Sequence, residues 1–78
     1  MKQIMVRNAH SDFDAMMIAE AMESAGGSVF SITYNGQHTG YGASLPHSEF
    51  IVWAKVKDDE HIGLIDQAIE KALDRRPL

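Results

Sequence analysis

The chain alternates before it turns helical. In KQIMVRN, Ile4 and Val6 share one side of a period-two pattern, which predicts a first strand. Ser11 followed by Asp14 has capping-box spacing, with the shorter Asp where Glu or Gln is usual, so a helix is expected to run from there to about Ala25 before Gly26 and Gly27 stop it. Ala15, Ile18, Ala19, Met22 and Ala25 make one stripe of that helix, suited to packing on a sheet. Phe13 and Met17, an i, i+4 pair, point nearly the opposite way beside Glu20 and Ser24, with Met16 and Glu23 on the flank. SVFSITYN predicts a second strand, with Phe30, Ile32 and Tyr34 on one face and Val29, Ser31 and Thr33 on the other. EFIVWAKVK predicts a third, with Phe50, Val52, Ala54 and Val56 opposed to Ile51, Trp53, Lys55 and Lys57. Asp58 or Asp59 caps a last helix, whose apolar stripe is Ile62, Ile65, Ile69, Ala72 and Leu73.

The order β-α-β-β-α, with right-handed crossovers, predicts an α+β fold. Residues 1–78 would form a single small domain with a ferredoxin-like layout lacking its last strand, a three-stranded antiparallel sheet carrying both helices on one face. Such a layout leaves an open edge on the first strand and a sheet face with no helix over it. That face is expected to carry Met5, Arg7, Ile51, Trp53, Lys55 and Lys57, and to attract a partner. In element order the chain resembles the PII-type nitrogen signalling proteins: MKQI opens the first strand, a long glycine-containing loop separates strands two and three, and VKDDEHIGLIDQAIEKAL supplies the second helix. The family's closing strand and basic glycine-rich nucleotide loop have no counterpart here, so the resemblance carries over no functional residue.

At 78 residues and 45% hydrophobic content, the chain is near the lower end of what buries a self-sufficient core, and association would help it. Without cysteine it has neither disulfides nor thiolate metal ligands, so a reducing cytoplasm is the expected compartment; no signal-peptide or membrane-spanning pattern is seen. The net charge of -4 is unevenly distributed. No Lys or Arg lies between Arg7 and Lys55, whereas Asp12, Asp14, Glu20, Glu23 and Glu49 all do. Segregation of this kind can build one acidic and one more basic surface.

The histidine and two aspartates of HSDFD invite a metal reading, with His10, Asp12 and Asp14 as ligands. Alternate residues diverge at a helix start, whereas a cap uses the same letters directly: Ser11 accepts an N–H, and the two acids complement the helix dipole. The cap is therefore expected, with no metal and no cofactor. Between strands two and three, NGQHTGYGASLPHSE reads as a binding loop, in which Gly36, Gly40 and Gly42 permit unusual backbone angles and His38, Tyr41 and His47 offer polar or stacking groups. It matches no phosphate loop. Ser11, Ser44 and Ser48 lack the surroundings of a nucleophile, so no enzyme activity is expected.

The function expected is therefore non-enzymatic binding. Asp12, Phe13, Met17, Glu20, Glu23 and Trp53 would contact a protein partner, as a small acidic inhibitor or regulator would, and anti-CRISPR-type inhibitors, whose carboxylates block a basic nucleic-acid-binding complex, are the concrete example. A homodimer is expected through the open edge or sheet face. Direct nucleic-acid binding is not expected, because the acidity opposes phosphate and the sheet lacks the aromatic signature of RNA recognition. The alternative is a ligand- or metal-sensing regulatory domain of PII-like layout, using the glycine-rich 36–46 loop.

Overall fold

The computed structural model describes residues 3–35 and 49–75. Its elements are β1 (Gln3–Ala9), α1 (Asp12–Ser24), β2 (Ser28–Asn35), β3 (Glu49–Val56) and α2 (Asp59–Asp74). β3 is the central strand, antiparallel to both neighbours, in the order β1-β3-β2. The expected α+β layout is therefore present, with the two helices contributing to one core on one side of the sheet.

Local chemistry fixes the helix ends. Asp14 N–H donates to Ser11 Oγ at 3.1 Å, so HSDFD is a helix start, with Asp12 and Asp14 in the first turn. At the other end, Gly26 N–H donates to Glu23 O at 3.1 Å and Gly27 N–H to Met22 O at 2.8 Å, the paired bonds of a Schellman cap. Gly26 has φ +94°, a backbone region that side chains resist. A Cβ on Gly27 would lie 3.1 Å from both Ile65 Cδ1 and Met22 O, so that glycine lets the chain pass close beneath α2.

Asp58 caps α2, its Oδ1 accepting from His61 N–H at 2.9 Å. The His61 ring then joins three elements. Its Nδ1 accepts from Lys57 N–H at 3.1 Å, and its Nε2 lies 2.8 Å from Ala25 O at the end of α1. Only the neutral tautomer with the proton on Nε2 makes both bonds.

The buried core is aliphatic. Val52, Ala54 and Val56 of β3 and Met5 and Ala9 of β1 meet Ala15, Ile18, Ala21 and Met22 of α1 and Ile65 and Ile69 of α2. Ala19, Ala25, Ile62, Ala72 and Leu73 pack around it, so both expected helix stripes face inward. No aromatic ring is buried among the described residues.

Two face assignments differ from expectation. Met5 is buried, and Arg7 reaches Asp66 on α2, so both belong to the covered side. Ile4 and Val6, paired with Lys55 and Trp53, occupy the open side instead. The cause is that Arg7 can lay its stem beneath the helices while its head finds a carboxylate at the rim. In β2 a bulge between Val29 and Ser31 leaves Phe30 without a cross-strand partner and reverses the alternation after it. Val29 pairs with Ala54 on the covered side; beyond the bulge, Ile32 pairs with Val52 and Tyr34 with Phe50, which places them on that side, while Ser31 and Thr33 share the open side with Trp53 and Ile51. The Tyr34 and Phe50 rings lie 4.9 Å apart, tilted by 50°. Ile32 and Tyr34 stay about half exposed on this edge strand, where helix cover runs out.

Candidate functional site

Two exposed surfaces on opposite sides of the molecule stand out. The first is the outer stripe of α1. At about 100° per residue, Asp12, Met16, Glu20, Glu23 and Phe13 fall within about 100° of the helix circumference, facing away from the buried Ala15, Ile18 and Met22. Phe13 is 52% exposed and Met16 61% exposed, beside three exposed carboxylates, and α1 carries no cation. Met17, expected on this surface, is half-buried and lines the groove between the helices. Met17 instead turns toward the groove it lines with Ala21, Ala68 and Ala72, and Met16 is Phe13's exposed neighbour.

The second surface is the open sheet face. Cross-strand pairing assembles Ile4, Val6, Ile51 and Trp53 there, with Phe30 from the bulge. Ile4 and Phe30 are at least half exposed. Trp53, at the centre, donates from Nε1 to Thr33 Oγ1 at 3.1 Å, which satisfies its polar atom and leaves the rest of the ring available for contact. Lys55 Nζ sits 5.6 Å from the centroid of the Phe30 ring, within cation–π range. Neighbouring Asn8, Ser31 and Thr33 are neutral.

Between the helices lies a groove of about 320 Å³. It exists because the facing positions are small: Ala21 on α1, and Ala68 and Ala72 on α2. Glu20 stands on one wall, Lys71 and Arg75 on the other.

Elsewhere charge is used structurally. Arg7 makes a two-point contact with Asp66, Nε to Oδ1 at 2.7 Å and Nη2 to Oδ2 at 2.5 Å, and donates from Nη1 to Val6 O at 2.7 Å. The Asp66 hydrogen bond and charge hold the Arg7 guanidinium above its usual pKa range, against the opposing effect of partial burial. Among the described residues, no three His, Asp or Glu side chains are grouped to hold a metal. No described helix is long and apolar enough to cross a membrane.

The structure therefore keeps Asp12, Phe13, Glu20 and Glu23 together on one helix and places Trp53 on the opposite surface, behind the sheet. His38, Tyr41 and His47 lie outside the described residues. The sequence reading missed Ile4, Val6 and Phe30 on the open face, and His61, whose signal was the Asp58-x-x-His61 capping spacing. No protein-family model matches the chain, and no match was found among curated proteins or solved structures. The PII-type resemblance is thus one of element order alone.

Proposed function

We propose that this chain is a small non-enzymatic binding protein that inhibits or regulates a macromolecular partner through the outer stripe of α1. One observation carries the reading: Phe13 and Met16 stand exposed within a stripe that holds Asp12, Glu20 and Glu23 and no cation. Apolar anchors rimmed by one sign of charge are the ingredients of a protein contact, in which burial supplies affinity and charge supplies steering and register. The complementary partner is a basic protein surface. A groove built for phosphates has that chemistry, so an inhibitor that occupies such a groove with carboxylates, as anti-CRISPR-type proteins do, is the concrete form proposed. Such a role places the protein in the cytoplasm with its target.

The test is capture of partners from a cell extract at low and high salt, using the native chain and a Glu20→Lys, Glu23→Lys double variant. A stoichiometric basic partner that is lost at high salt and lost with the double variant supports the proposal. Capture that is indifferent to both salt and charge reversal refutes it.

A further inference from the structure

We infer that the open sheet face is the interface of a two-fold homodimer in which the sheets pack face to face, with the symmetry axis running across the strands at the level of Trp53. The inference goes beyond the binding-protein reading and assigns to a second copy the surface that α1 does not use.

Three observations identify the occupant. The core holds Met, Ile, Val and Ala only, while Phe30, Trp53, Ile4, Val6 and Ile51 face outward, so two aromatic and three branched aliphatic side chains share the side that the sheet's own helices leave uncovered. A chain this small gains most from a second copy that covers such a face. The size also fits. The seven paired positions of β1 and β3 and three strands make a face of about 14 by 23 Å. Sheet-on-sheet packing over that footprint buries on the order of 1,000 Å² in total, at the low end for a specific dimer.

Charge then selects the axis. The rows across the face are Ile4–Lys55, Val6–Trp53–Ser31 and Asn8–Ile51–Thr33. An axis along the strands would stack Lys55 on its own copy. An axis across the strands through the middle row instead sets Lys55 of each copy over the neutral Ile51 row of the other. The two ammonium groups are then about 13 Å apart along the strands, beyond the screening length of about 8 Å at physiological salt. Val6 and Trp53 meet their own counterparts at the axis.

The geometry makes unequal demands on the same charge introduced at two positions. Val6→Glu sets carboxylate against carboxylate at the axis and should raise the dimer dissociation constant about a hundredfold or more. Ile51→Glu places its carboxylate opposite the second copy's Lys55 and should raise it about tenfold or less. Neither side chain enters the core, and circular dichroism checks that each variant folds. Sedimentation equilibrium measures the association. Trp53 is the single tryptophan, so the native dimer should also show an emission maximum that moves to the red on dilution or with Val6→Glu.

A native chain that stays monomeric up to millimolar concentration overturns the dimer, and equal disruption by both variants overturns its axis across the strands. Neither result touches α1, whose own test is the Glu20→Lys, Glu23→Lys pair; those variants should leave the dimer intact. Capture that is indifferent to salt and to the Glu20→Lys, Glu23→Lys pair, with the dimer intact, would refute the partner reading alone.

Discussion

Replacing His61 with Ala tests whether one ring holds three elements together. The ring accepts from Lys57 N–H, donates to Ala25 O and lies 3.2 Å from where a Cβ on Gly26 would sit, so its removal opens the junction between β3, α2 and the end of α1. Each bond is worth about 1 kcal/mol net, and the Ala25 carbonyl is left with reduced access to water, so His61→Ala should cost about 2 kcal/mol. For a domain of this size the urea slope is about 1 kcal/mol per molar, so the unfolding midpoint should fall by about 2 M. The assay is urea unfolding at one fixed protein concentration, followed by far-ultraviolet circular dichroism. His61→Gln, whose amide can still donate to Ala25 O, should recover about half of the loss. In the native protein, nitrogen NMR should find the ring proton on Nε2, and the Lys57 amide should exchange faster with solvent once the ring is gone. A midpoint that falls by less than about 0.5 M would refute the junction argument, because at least one of the two bonds would then contribute nothing.

Two further outcomes follow from the packing. Gly27→Ala should destabilise by about 1–3 kcal/mol, since its Cβ meets Met22 O, a backbone atom that cannot swing aside, and Ile65 Cδ1; urea denaturation reads it, and a neutral result would show that the Schellman turn can open without cost. A double-mutant cycle with Arg7→Ala and Asp66→Ala should give a coupling of about 0.5–1 kcal/mol that shrinks as salt is added, because the contact is two-pointed but both side chains are more than a third exposed; zero coupling at low salt would contradict the geometry.

The elements were legible because their signals are local. Period-two runs mark the three strands, and Ser11 and Asp58 cap by accepting from backbone N–H groups only three residues further on. What escaped depended on partners far along the chain. Arg7 looks like a solvent-facing residue until Asp66, 59 positions later, is placed above it. Phe30 carries no glycine or proline to mark a bulge, so strict alternation put Ile32 and Tyr34 on its side of the strand. Met16 and Met17 differ by one step of a helical wheel, and the groove Met17 lines with α2, which no local pattern predicts, leaves Met16 the exposed one. His61 was passed over because a capping box expects Glu or Gln at its position and because Ala25 is 36 residues away. The acidic stripe was largely readable, since Asp12, Glu20 and Glu23, spaced eight and three residues apart, share a helix face by helical geometry alone.

The two surfaces gain a common meaning from the order of the layers. α1 and α2 cover one side of the sheet, so a dimer closed through the other side must send both helix layers outward. With sheets about 10 Å apart and a helix layer of about 10 Å diameter on each flank, the two α1 stripes come to lie on the order of 40 Å apart, facing opposite directions. No single concave groove can then engage both. Each dimer would hold either two partner molecules or two separate basic sites of one large assembly, and in the latter case the second contact becomes intramolecular and the apparent affinity rises steeply. Val6→Glu separates these cases: with two independent partner molecules the monomer should bind each as tightly as the dimer does, whereas with one bivalent assembly loss of the dimer should weaken capture about a hundredfold while leaving its salt dependence per α1 stripe unchanged.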